Sequence, residues 1–144
     1  MSELPEPSLP LRGGCGCGGV RWEIDAPLVS ASYCHCTRCQ RRTGTGSSVS
    51  ARVAPGAFHV LQGQELIRDW DPGGGGFLKA FCTNCGSALF SHSPVDGDER
   101  IGVRLGTFDT DPGIRPQWHQ FVAYAPAWDE IPDDGLPRFP EGRP

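Results

Sequence analysis

The chain has 144 residues, a formal net charge of −4 and 38% hydrophobic residues, a size that accommodates one domain around a single core. Its 20 glycines and 14 prolines favour turns and short strands over a helical bundle. Lys and Arg total 13 against 17 acidic residues with no basic tract, which argues against a nucleic-acid partner, and no apolar run is long enough to span a bilayer. The start, Met1-Ser2-Glu3-Leu4-Pro5-Glu6-Pro7, has acids and prolines where a secretory signal needs basic and then apolar residues. The expectation is a cytoplasmic protein in a reducing compartment.

In chain order, residues 1–12 read as a loose N-terminal arm, residues 13–137 as a single domain and residues 138–144 as a C-terminal tail. The run Gly13-Gly14-Cys15-Gly16-Cys17-Gly18-Gly19 lets the backbone turn sharply, so that both sulfurs can point at one ion. Val20–Ile24 alternates apolar and polar residues and predicts a strand. Leu28–Tyr33 predicts a second strand that delivers Cys34. Thr37–Thr43 predicts one or two helical turns stopped by Gly44. Further strands are expected over Val49–Val53, Phe58–Gly63 and Leu66–Trp70. After the loop Asp71–Gly76 come Phe77–Phe81, Ser87–Ser91, Ile101–Gly106 and a last strand over Gln120–Tyr124. Many short strands separated by turn signals predict an all-β fold. From Pro126 the chain is expected to wrap the surface.

All seven cysteines fall in tight clusters: Cys15 and Cys17, then Cys34, Cys36 and Cys39, then Cys82 and Cys85. An odd count cannot pair off within one chain, and reducing conditions disfavour disulfides, so the thiols read as zinc ligands. A structural zinc takes four protein ligands, whereas a catalytic zinc keeps one position for water or substrate. Cys82-Thr83-Asn84-Cys85-Gly86 has the form of a zinc knuckle, and Cys15 and Cys17 are the pair free to complete it. That division leaves Cys34, Cys36 and Cys39 as a three-thiolate site. The competing division joins one of that trio to the knuckle. A further alternative closes the trio as a second structural zinc through His59, His92 or His119.

Other residues near the trio have two readings each. Arg38, Arg41 and Arg42 either offset the charge of a three-thiolate zinc and attract carboxylates, or form a solvated turn. His35 either shuttles a proton or orients a ligand, or is a hydrogen-bonded loop histidine. Thr43–Ser48 line the site or make a turn. Trp22, Trp70, Trp118 and Trp128 read as core or edge packing. The Gly73–Gly76 run lacks the lysine of a phosphate-binding loop.

Three stretches carry a family resemblance: Gly14-Cys15-Gly16-Cys17-Gly18, Tyr33–Gly44 and Phe81–Ser87. With Pro116, His119, Trp128 and the run Ile131-Pro132-Asp133-Asp134-Gly135-Leu136-Pro137, they resemble the glutathione-dependent formaldehyde-activating enzyme (GFA) family, also called the centromere protein V domain family. The resemblance implies an all-β, Mss4-like (β-tent) fold of short antiparallel strands with zinc-binding loops. It implies two Zn2+ per chain: a structural zinc on Cys15, Cys17, Cys82 and Cys85, and a catalytic zinc on Cys34, Cys36 and Cys39. His35 and Arg38 are the accompanying site candidates. The activity implied is that of a carbon–sulfur lyase of the S-hydroxymethylglutathione synthase kind. Its partners would be a small-molecule thiol, glutathione among the candidates, and an aldehyde-like substrate such as formaldehyde. The alternative is a non-catalytic zinc-stabilised binding module with two structural sites.

Overall fold

The computed structural model describes Leu4 and residues 6–144. Ten strands run in chain order: β1 (Leu11–Gly14), β2 (Arg21–Ile24), β3 (Ser30–Cys34), β4 (Ser48–Val53), β5 (Phe58–Gln62), β6 (Ile67–Trp70), β7 (Leu78–Cys82), β8 (Ala88–His92), β9 (Ile101–Arg104) and β10 (His119–Gln120). One short helix, α1 (Thr37–Thr43), follows β3. The strands form a three-stranded sheet, β1-β2-β5, and a seven-stranded sheet, β10-β3-β4-β9-β8-β7-β6. All pairings are antiparallel except β10 with β3. The fold is all-β, as expected, and among the described residues no helix is long and apolar enough to cross a membrane.

The core lies between the two sheets, because strand alternation sends every second side chain to the same face. Leu11 of β1 and Trp22 and Ile24 of β2 meet Val53 of β4 and Val103 of β9. Trp22 is 1% exposed and packs edge-on to Phe108, with ring centroids 4.8 Å apart. A smaller cluster of Cys15, Val20, Cys82 and Leu89 fills the space beside the first thiol group.

Four sequence expectations are corrected. The arm expected over residues 1–12 ends sooner, because Leu11 and Arg12 belong to β1 and Leu11 is buried in the core; residues 1–3 and 5 of that arm lie outside the described residues. The boundary expected between the domain and a tail over 138–144 does not separate them: Arg138 bridges to His119, and the Phe139 amide donates to the His119 carbonyl at 2.9 Å. The expected last strand over Gln120–Tyr124 stops after Gln120. Phe121 takes a left-handed backbone conformation, φ 57°, which breaks the extended run and starts a 3-10 turn over Val122–Tyr124. Among the tryptophans, Trp128 is 72% exposed and so stands outside the core.

Gly63, at φ 81°, closes the turn after β5 in a conformation that side chains rarely adopt, and its Cα faces the carbonyl of Gly19 beside the first thiol turn. A Gly63→Ala variant is expected to lose about 2 kcal/mol of stability or more, because the methyl group would press on the Gly19 backbone. Trp22→Ala is expected to cost about 3–5 kcal/mol through the cavity left between the sheets. Urea unfolding midpoints check both.

Candidate metal centres and the adjoining cavities

The first thiol group is assembled from distant parts of the chain. After β1 the backbone turns through Gly16 and Gly18, the latter at φ 78°, and carries Cys15 and Cys17 over the β7–β8 hairpin. Cys82 ends β7 and Cys85 sits in the turn that follows, which Gly86 closes at φ 79° with its amide donating to the Cys82 carbonyl at 2.7 Å. The Sγ atoms of Cys15, Cys17, Cys82 and Cys85 all lie within 4.8 Å of one another. The Cys15–Cys17 and Cys17–Cys82 separations are 3.5 and 3.9 Å. A tetrahedral zinc about 2.3 Å from each sulfur sets the sulfurs roughly 3.8 Å apart, so these four donors fit such an ion. Backbone and hydroxyl groups steady the sulfurs: the Val20 amide donates to Cys15 Sγ, and Ser87 Oγ lies 3.2 Å from Cys85 Sγ while accepting from the Gly16 amide. The Ser87 hydroxyl, with the amides of Ser87 and Cys17, holds the Cys85 thiol down at about 5.

The second group is local. β3 delivers Cys34, Cys36 caps α1 with its sulfur accepting from the Cys39 amide at 3.3 Å, and Cys39 lies in the first helical turn. The helix stops at Gly44, whose φ of 69° and amide bond to the Gln40 carbonyl form the expected cap. The three Sγ atoms lie within 4.8 Å of one another, a spacing that fits three thiolates of a tetrahedral ion. Among the described residues no His, Asp, Glu or further Cys joins them. The three histidines considered as a fourth donor are engaged elsewhere: His59 pairs with Asp25, His92 with Asp69 and His119 with Asp134. The division of seven thiols into four and three is thus present in the folded chain, and the competing division is not.

Hydrogen bonds from Cys34 and Cys36 hold Cys39 well below the usual thiol range, with further help from the Ser48 hydroxyl and the charge of Arg104. Hydrogen bonds with Cys36 and Cys39, together with burial, push Cys34 upward.

Two cavities meet at this trio. One, of about 410 Å³, opens on the face of the large sheet opposite the core. Its floor follows directly from register: Ser30, Arg52, Gly102, Ser91 and Lys79 stand side by side across β3, β4, β9, β8 and β7. Ser32, Ser50 and Arg104 form the next row, and Cys34 with Ser48 the next. Arg143 closes the side, its guanidinium stacked 4.2 Å from the Trp118 ring centroid. The cavity therefore gathers Arg52, Lys79, Arg104 and Arg143, and among the described residues no Asp or Glu side chain lines it. One terminal nitrogen of Arg52, Nη1, is buried without a hydrogen-bond partner. Burial pushes Lys79 below the usual amine range, against the lift from the charge of Cys39. The second cavity, of about 490 Å³, lies across the trio and is walled by Phe121, Tyr124, Thr37, Arg38 and Lys79.

The remaining sequence candidates fall as follows. Arg38 is exposed on α1 and borders the second cavity. Arg41 is exposed, and Arg42 stacks between the rings of Trp70 and Phe81, 5.7 Å from each centroid. His35 is 5% exposed, its Nε2 lying 2.9 Å from His119 Nδ1. Thr43 donates back to the Cys39 carbonyl and, with Thr45, makes a turn; of the run Thr43–Ser48 only Ser48 borders the first cavity. Sequence reading missed Arg52, Lys79, Arg104 and Arg143. They lie far from Cys34, Cys36 and Cys39 along the chain, and only strand alternation around Arg52, Lys79 and Arg104 hinted at a common face; Arg143 lies in no strand.

A protein of Halomonas elongata carrying the name "Putative glutathione-dependent formaldehyde-activating enzyme" is 28% identical over 131 residues, which cover 84% of this chain and 80% of that protein. A crystal structure of a Rhodobacter sphaeroides protein has the same fold, with a TM-score of 0.58 at 22% identity over 89% of this chain and 98% of the other. The family described as Glutathione-dependent formaldehyde-activating enzyme matches residues 10–124, from the strand that begins the fold through the turn at Val122–Tyr124. The match takes in all seven thiols and both clusters they form, and the chain belongs to the glutathione-dependent formaldehyde-activating enzyme (GFA) family.

Proposed function

We propose that the chain is a zinc-dependent carbon–sulfur lyase that binds a thiol at Cys34, Cys36 and Cys39 and adds a small carbonyl carbon to it, or removes one. The observation that carries this reading is the incomplete donor set: three thiols brought together with no fourth side-chain donor among the described residues, at the junction of two cavities. A structural site has no use for that arrangement, whereas a site that must admit a substrate needs it. Cys15, Cys17, Cys82 and Cys85 would hold a second, structural zinc. A zinc ion on the trio would supply a Lewis acid at which a thiol loses its proton at neutral pH.

The chain's own side chains divide the remaining work. Arg104 and Lys79 place positive charge beside Cys39 and offset the charge of three thiolates, while the Ser48 hydroxyl steadies the Cys39 sulfur. Arg52 and Arg143, farther along the same face, match the carboxylates of an acidic thiol, and glutathione is the candidate that the family's name supplies. Phe121 and Tyr124 wall the other side with apolar surface that suits a small neutral carbonyl compound and limits water. In the forward direction a carbon–sulfur bond forms and the proton lost by the thiol ends on the former carbonyl oxygen; the reverse reaction breaks the same bond.

Exchange NMR of glutathione with formaldehyde tests the substrate assignment: the protein should speed interconversion with S-hydroxymethylglutathione, and a rate equal to the uncatalysed one would refute it. Cys36→Ala should cost at least about 100-fold in that rate and one of two zinc equivalents while leaving a folded protein. Cys82→Ala should instead lose the fold, because its site ties the two sheets together. Metal analysis and circular dichroism separate the two outcomes.

A further inference from the structure

We infer that His119 and Asp134 are positioning residues that act through His35 to hold the Cys34–Cys36 loop in the geometry a metal ion needs. The inference rests on reading the trio as a metal site.

The three side chains form a chain that leads from the C-terminal segment to the peptide between two of the thiols. Asp134 Oδ2 lies 2.8 Å from His119 Nε2, and His119 Nδ1 lies 2.9 Å from His35 Nε2. Both imidazoles are almost wholly buried, at 2% and 5% exposure, whereas Asp134 reaches solvent. Only one arrangement of protons satisfies all three groups with neutral rings. A carboxylate has no proton to give, so His119 donates from Nε2 and accepts at Nδ1; His35 must then donate from Nε2. The carboxylate thus fixes both tautomers, and with them the orientation of both rings. Tyr33 stacks on His119 at 4.7 Å with an interplanar angle of 12°, and so holds the middle ring flat.

The backbone around the chain is tied at both ends. The His119 amide donates to Pro137, the Phe139 amide to His119, and the Leu136 amide to Asp134 Oδ1, so the carboxylate is itself clamped. At the other end the His35 amide donates to the Gln120 carbonyl, and Gln40 Nε2 donates to the His35 carbonyl. His35 is therefore anchored by amide, carbonyl and ring, and it separates the ligands Cys34 and Cys36 by one residue on either side. None of these bonds touches a sulfur. The effect on the trio is one of geometry, as outer hydrogen bonds orient the ligands of other metal sites.

The test titrates the full-length protein with cadmium. Cadmium NMR gives separate resonances for four-thiolate and three-thiolate sites, and chelator competition measures the affinity of each. Asp134→Ala should weaken the three-thiolate site by about 10–100-fold and shift its resonance, leaving the four-thiolate site unchanged. Asp134→Asn, whose amide oxygen can still accept from His119, should restore affinity and resonance, and Asp133→Ala should change neither. A folded Asp134→Ala protein with unaltered cadmium affinity at the trio would overturn the inference. In the wild-type protein, nitrogen NMR of the imidazoles should find both rings protonated at Nε2, and an Nδ1 proton on His119 would overturn it without any variant. Failure of cadmium to bind the wild-type trio at all would instead sink the metal reading beneath it.

Discussion

The molecule depends most on the meeting of the Cys15–Cys17 turn with the Cys82–Cys85 turn. These two segments are separated by 65 residues, yet four sulfurs converge within 4.8 Å. One segment leaves the three-stranded sheet and the other lies in the seven-stranded sheet, so their contact fixes how the sheets face each other. The core is modest, built around Trp22 with Leu11, Ile24, Val53 and Val103. A domain of this size gains from a cross-link of this kind, because ligation free energy adds to folding free energy. The glycines beside the thiols serve the same contact, since Gly18 and Gly86 allow turns tight enough to aim two sulfurs at one point.

The trio at Cys34, Cys36 and Cys39 depends on a different constraint, the pleat of the large sheet. Once Ala51, Val53 and Val103 are committed to the core, Ser48, Ser50, Arg52, Gly102 and Arg104 must point to the other face. Five strands in register then bring a row of hydroxyls and cations to the side of the trio. The small side chains of that row leave the cavity its volume, and the cations give it its sign. Phe121, in a backbone conformation that few side chains accept, turns the chain back over the opposite side of the thiols. The C-terminal segment from Pro126 onward crosses this region, and through Asp134 and His119 it reaches the peptide that joins Cys34 to Cys36.

Most strands were legible from alternation and turn residues. The helix Thr37–Thr43 with its Gly44 stop matches the sequence expectation, because a glycine C-cap is a local signal. The division of thiols into four and three was legible too, since it follows from donor counting. Other features were not. Gln120–Tyr124 alternates like a strand, but the left-handed turn at Phe121 is imposed by packing, and a phenylalanine gives no local sign of it. His119 stood as a candidate ligand because histidines in zinc proteins often are ligands. Its actual partners, His35 and Asp134, come from other parts of the chain.

Sequence alone determined the chemistry available: seven thiols in tight clusters, glycines that let them turn, and an all-β pattern of short strands. These are local properties, set by spacing and by the conformational limits of individual residues. Tertiary structure decided that no fourth side-chain donor among the described residues joins the trio, and which charges face it. Arg52, Lys79 and Arg104 acquire a common purpose only when strand register aligns them, with Arg143 brought in by its stacking on Trp118, and register is a relation between strands that no single segment contains.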